Sequence, residues 1–388
     1  MSRSNDVPAL ASRWIIDRTG LARLFAELRD GGYSLVGPTV RENAIVYAEI
    51  SGLDELPQGT GDEQGPGRYR LKSRSDKALF GYVVGPHSWK KFLFPPEARL
   101  LSAHRAGRSL SFAEEPLPKK KIAFLAVRAC ELAAIALQDT VFMAGSYVDP
   151  LYATLRKDAF LLCVQCTQSG ANCFCVSMGT GPKAGRGFDL ALTERATPGG
   201  SDFLVEAGTA RGARLLARLP RSPASQESVR QAEAAVNRCA QTMKKTMDTS
   251  GIKELLYGNL DHPRWNDVAS RCLSCANCTM ACPTCFCSAV EETGDLEGDH
   301  AERWRRWDSC FTNDFSYIHG GSVRADTRAK YRQWMTHKLA TWIDQFGSSG
   351  CVGCGRCITW CPPGIDITAE VRAIRAAPAQ EADHGKKA

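Results

Sequence analysis

Cysteine is the residue through which this sequence could do chemistry. Eight of its seventeen cysteines fall in two runs of one form. Cys272, Cys275, Cys278 and Cys282 lie in CLSCANCTMACP, and Cys351, Cys354, Cys357 and Cys361 lie in CVGCGRCITWCP. Three cysteines two residues apart wrap the backbone into a tight curl, turning three thiolates toward one point while N–H groups face inward. The fourth, followed by proline, leaves that curl. This C-x2-C-x2-C-x3-C-P interval is the one by which a pair of [4Fe-4S] cubanes is held, the fourth cysteine of each run serving the other cubane. On that pattern Cys272, Cys275 and Cys278 bind one cluster with Cys361, and Cys351, Cys354 and Cys357 bind a second with Cys282. Cys-x2-Cys pairs also make tetrahedral zinc sites, but a zinc site takes four ligands and has no use for a third cysteine at the same interval or for a second copy of the run. Electron transfer is the first functional hypothesis. Cluster binding is also expected to supply folding free energy to a region with little apolar core of its own.

The other cysteines are Cys130, Cys163, Cys166, Cys173, Cys175, Cys239, Cys285, Cys287 and Cys310, and two Cys-Phe-Cys units occur among them. A Cys-x-Cys pair can ligate two irons of one cluster, with the phenylalanine excluding water. A third [4Fe-4S] cluster is expected on Cys130, Cys166, Cys173 and Cys175, with Cys163 and Cys239 as ordinary buried thiols. For Cys285, Cys287 and Cys310 two readings stay open: three ligands of a fourth cluster whose last ligand has no candidate, or thiols packed beside the paired clusters.

The elements that must position these residues are an α+β mixture. In the first region, 1–115, GLARLFAELRDGG reads as a helix, and AIVYAEI and ALFGYVV read as strands. GPHSWKKFLFPP reads as a packed loop. The second region, 116–222, has IAFLAV as a buried strand, ELAAIALQDTVF as a helix and FLLCVQC as another strand, so that Cys130, Cys166, Cys173 and Cys175 could meet at strand ends. The glycines at 179, 181, 185 and 187 match no phosphate-loop pattern and read as a turn packed against backbone or cluster. A Ser/Pro-rich stretch, RLPRSPASQESVR, marks a boundary. From there 223–376 is expected to be an α-helical dicluster ferredoxin domain, with AERWRRWDSC and TRAKYRQWMTHKLATWIDQF both read as helices between the cysteine runs. A polar tail, 377–388, follows.

Composition narrows the rest. With 388 residues the chain can hold two or three cores. No apolar run approaches the length of a membrane span, and the opening residues lack an apolar signal core, so a cytoplasmic location is expected. Cysteines bunched at metal-ligand intervals suit a reducing compartment better than a disulfide scaffold. A net charge of +7 with dispersed basic residues does not indicate nucleic-acid binding.

Taken together, RAC with ELAAI, CFCVSMGTGP, DLALTE, CLSCANCTMACPTCFC, WDSC, HK and CVGCGRC resemble the β subunits of sulfhydrogenase-type [NiFe] hydrogenases, and are similar to the A subunit of anaerobic sulfite reductase. The resemblance runs from about Gly65 to Asp366. It implies a non-catalytic iron–sulfur subunit between a flavin subunit that exchanges hydride with NAD(P)H and a catalytic subunit that reduces protons or sulfite. The family pattern includes the cysteines assigned to the third cluster and Cys285, Cys287 and Cys310. It departs after WDSC, where relatives carry a GGHNFR-like stretch and this chain has HGGSVRAD. The chain has no G-x-G-x-x-G fingerprint, so a pyridine nucleotide would bind a partner. Two other classes stay open: a self-contained flavin-dependent oxidoreductase and a metal-stabilised scaffold.

Overall fold

The computed structural model describes residues 7–197 and 200–376, so the expected polar tail at 377–388 lies outside the described residues. One eight-stranded sheet runs through the first two regions. Its spatial order is Ser222–Pro223, Arg13–Ile16, Gly200–Ala207, Leu190–Thr197, Phe160–Val164, Lys121–Val127, Tyr33–Arg41 and Ala44–Glu49. The four strands from Leu190–Thr197 to Tyr33–Arg41 are parallel neighbours, and the flanking pairs are antiparallel. Strands from both sides of the expected 115/116 boundary therefore share one sheet.

Alternation along the central strands feeds two cores. In Lys121–Val127, Ala123 and Leu125 face one side with Leu21, Leu24 and Phe25 of the helix Arg18–Asp30. Ile122 and Phe124 face the other, with Leu132 and Ile135 of the helix Ala129–Met143 and Tyr152 of Pro150–Lys157. A bulge at Ala126, whose φ is 64°, resets this alternation so that Val127 joins the Phe124 side. ALFGYVV is not a strand: Leu79, Phe80 and Tyr82 are buried, but they pack as an irregular segment whose backbone is held by side chains. Glu194 accepts from the N–H groups of Leu79 and Phe80, and Asp62 from that of Val83.

The dicluster region is mixed rather than helical. AERWRRWDSC does not form a helix; most of it lies in the strand His300–Trp307, between Ser288–Gly294 and Glu97–Ala106 in a four-stranded sheet completed by Ser109–Glu114. The three-residue spacing of Trp304 and Trp307 suits a helix, but pairing with a strand on each side overrides it. The first helix of this region spans Gln226–Gln241. TRAKYRQWMTHKLATWIDQF is helical, as Thr327–Thr336, a π turn at His337–Thr341 and Trp342–Phe346. The expectation of little apolar core here is corrected as well. Trp265, Val268, Tyr331, Trp334, Met335, Leu339, Ile358 and Ile374 form a core of their own, against which Cys272, Cys278, Cys357 and Cys361 pack.

Candidate metal centres

The two cysteine curls share one backbone signature. In the first, Ser274 and Ala276 flank Cys275 with φ of 50° and 65°; in the second, Gly353 and Gly355 flank Cys354 with φ of 65° and 76°. Left-handed residues on both sides of the middle cysteine tighten the turn and aim N–H groups at sulfur. Ser274 donates to Cys272 Sγ at 3.4 Å, Gly353 to Cys351 Sγ at 3.5 Å, and Ile365 to Cys361 Sγ at 3.4 Å. A short helix follows each curl, Asn277–Met280 and Arg356–Thr359.

The curls differ in their surroundings, and this explains which carries glycine. Cys275 is exposed, with Leu273 beside it 64% exposed. Cys272, Cys275, Cys278 and Cys361 line a cleft of about 400 Å³ closed at the back by Phe311, Tyr331 and Trp334. The second curl instead lies under the Cys173–Phe174–Cys175 segment. A Cβ on Gly353 would sit 2.7 Å from Cys175 Cα, and one on Gly355 2.4 Å from the Asn172 carbonyl oxygen. Phe174 N–H donates to the Gly353 carbonyl at 2.9 Å, and Thr180 Oγ1 to the Val352 carbonyl at 2.6 Å.

That segment belongs to the next cysteine group. Cys130 and Cys166 emerge just past the carboxyl ends of two adjacent parallel strands, the edge at which open α/β sheets place ligands. With Cys173 and Cys175 they line a second cavity, of about 370 Å³, together with Cys354 and Cys239. Gly181 belongs to the same wall, since a Cβ there would meet Cys175 Sγ at 3.1 Å. The structure places Cys163 in the sheet core beside Ala191 and Leu161. It places Cys239 on the cavity wall, a position that the helix Gln226–Gln241 gives it and that its spacing from other cysteines does not signal.

A buried charge network joins the second curl to this cavity. Arg356, between Cys354 and Cys357, pairs with Glu131, next to Cys130, and both side chains are almost wholly buried. Arg356 also donates to the carbonyls of Gly85 and His87, each at 2.9 Å. The other Glu131 oxygen accepts from Tyr47 Oη at 2.8 Å, Trp89 Nε1 at 3.0 Å and the Arg128 N–H at 3.1 Å. Arg128 Nε and Arg356 Nη1 remain buried without a hydrogen-bond partner, Arg128 on the cavity wall beside Cys166.

A fourth group gathers where the structure brings Cys285, Cys287 and Cys310 next to Cys282, and Cys282 also faces Cys351 and Cys357. Two buried lysines, Lys90 and Lys338, lie against it.

Thiol crowding is the electrostatic feature of these sites. Burial, and then Cys361, Cys272 and Cys275, push the Cys278 thiol well above its ordinary pKa. Burial followed by Cys351, Cys354 and Cys282 does the same to Cys357, and burial followed by Cys175 and Cys354 does so to Cys130. Such groups reach the thiolate state only when positive charge enters among them, as a metal cluster would supply. Among the described residues no three His, Cys, Asp or Glu side chains converge as ligands of a single ion would. Cysteines spread around a cavity fit a cluster, in which each sulfur meets a different iron. Buried guanidinium N–H groups without a partner, close to cysteine thiols, fit the same interpretation.

Comparison with known proteins agrees with this class of site. A 4Fe-4S dicluster domain matches residues 271–365. Sulfhydrogenase 2 subunit beta of Pyrococcus furiosus is 31% identical over 249 residues, which is 63% of this chain and 72% of that protein. No solved structure matches. The chain belongs to the family of sulfhydrogenase iron–sulfur β subunits. Among the described residues no helix is long and apolar enough to cross a membrane.

Proposed function

We propose that this chain is an electron relay, passing single electrons between a flavin- and NAD(P)H-binding subunit and a catalytic subunit, a [NiFe] hydrogenase, in one heteromeric complex. When bound, [4Fe-4S] clusters supply the one-electron redox steps. Cys272, Cys275, Cys278 and Cys361 hold the first; Cys351, Cys354, Cys357 and Cys282 hold the second; Cys130, Cys166, Cys173 and Cys175 hold a third. The observation that carries this reading is the docking of the second curl on the Cys173–Cys175 segment, which places two cysteine groups back to back. The exposed Cys275 edge of the first curl supports exchange of electrons with another protein at that end. Cysteine on all sides leaves no ligand position for a substrate, which favours relay over catalysis.

Iron and acid-labile sulfide in anaerobically purified protein test the assignment. About twelve irons per chain are expected for three cubanes, with the Cys285, Cys287 and Cys310 group metal-free, and about sixteen would fill that group as well. Cys130→Ser should remove about four irons. Zinc in place of iron, or an iron content unchanged by Cys130→Ser, would overturn the assignment. In the native complex, nickel supports the hydrogenase partner, whereas siroheme would move the reading to sulfite reduction.

A further inference from the structure

Lys338 is the basic side chain most deeply engaged with sulfur in this molecule. It is 4% exposed, and its ammonium lies 3.3 Å from Cys282 Sγ and 3.5 Å from Cys285 Sγ. Thr284 Oγ1 at 3.1 Å and the Gly350 carbonyl at 3.3 Å complete its surroundings. The π turn His337–Thr341 sets it there, and the Lys338 carbonyl accepts from Gly350 N–H at 2.8 Å, which ties the lysine's backbone to the approach of the second curl. Single π turns inside α-helices recur at functional sites. A second buried lysine, Lys90, reaches the same place from the other half of the molecule. Its ammonium donates to the Cys285 carbonyl at 3.1 Å and sits 3.8 Å from the centroid of the Trp307 ring. No carboxylate pairs with either lysine among the described residues. A buried ammonium without a counter-carboxylate needs other groups to stabilise its charge, and for Lys338 the Cys282 and Cys285 sulfurs lie nearest.

We propose that Lys338, assisted by Lys90, sets the reduction potential of the centre that Cys282 ligates, making it the highest-potential station in the relay. Each electron that arrives, from a reduced flavin on the neighbouring subunit, adds one negative charge to that centre. A fixed ammonium hydrogen-bonded to a ligand sulfur stabilises the reduced form more than the oxidised one. The lysine gives up no proton in the step; its charge and position do the work. Lys338 is thus a positioning and tuning residue that acts through Cys282.

The test is a potentiometric titration of the anaerobically purified full chain, followed by EPR, alongside iron analysis. Lys338→Gln should keep the iron content and lower the midpoint of the highest-potential signal by at least tenfold in the reduction equilibrium constant, about 59 mV for a one-electron couple. Lys338→Arg should restore most of it. An unmoved midpoint at full iron content would overturn the proposal and leave the relay reading, on which it rests, intact; absence of iron from the wild-type chain would instead overturn the relay. If Lys338→Gln loses iron, Lys90→Gln decides, since Lys90 contacts no thiol. A smaller downward shift is then expected, and no shift would refute the role.

Discussion

Ser274 and Ala276 hold left-handed backbone that costs an L-residue roughly 1–2 kcal/mol each. Their equivalents Gly353 and Gly355 avoid that cost, but their absence of a side chain serves contact rather than strain relief. Gly355→Ala should therefore be far worse than a strain estimate suggests, because its methyl would meet the Asn172 backbone. We expect Gly355→Ala to lower the thermal midpoint and release iron from the second curl, while Ala276→Gly leaves iron content unchanged. Anaerobic melting curves with iron analysis check both. The eight curl cysteines were legible because their spacing is local. Lys338 and Glu131 were not, since nothing near them in sequence announces a sulfur 3.3 Å away or a guanidinium from the other half of the chain.

At the scale of elements, the strand His300–Trp307 connects the cysteine-bearing segments to the first region. Trp307 N–H donates to the Pro96 carbonyl at 2.8 Å, and Asp308 N–H to the Cys287 carbonyl at 2.9 Å, so the strand sets the distance between Cys287 and Cys310. It is central in its sheet, where proline removes a ladder hydrogen bond. Arg303→Pro should abolish amide-exchange protection across Ser288–Trp307 and Glu97–Ala106 while leaving protection in Lys121–Val127 and Phe160–Val164. Two of the parallel strands, Lys121–Val127 and Phe160–Val164, could be read from the sequence because strands buried on both faces are continuous apolar runs, as in IAFLAV. His300–Trp307 could not, because one face of its sheet is solvated and arginine fills positions that a buried strand gives to valine. ALFGYVV failed for the opposite reason: it is buried like a strand but satisfies its backbone with Glu194 and Asp62 instead of a neighbour.

In the molecule as a whole, the α/β layer and the dicluster region are interlocked. The second curl lies on Cys173–Cys175, Gly67 N–H donates to the Ile358 carbonyl at 3.0 Å, and the Arg356–Glu131 pair sits in the seam. Breaking a buried pair leaves an uncompensated charge and costs on the order of 3–5 kcal/mol. Glu131→Gln should accordingly destabilise the whole chain by about that amount. Denaturant titration of both regions, by tryptophan fluorescence and by iron release, should show one shared shift; two separate transitions would show that the seam is not the joint. The family assignment and the composition led to a modular picture of a ferredoxin attached to an α/β domain. The seam was invisible to it, because long-range backbone contacts such as Phe174 with Gly353 leave no periodic trace.

The contrast between the two curls also sets an order of vulnerability to air. Cys275 meets solvent, whereas Cys354 and Cys175 are shielded beneath packed backbone. Dioxygen reaches the outermost sulfur first, and reactive oxygen attacks accessible thiolates before enclosed ones. Oxidation of the iron-loaded chain is therefore expected to run from the rim inward, so that brief aeration strips the Cys275 end while the enclosed cysteine groups are still intact.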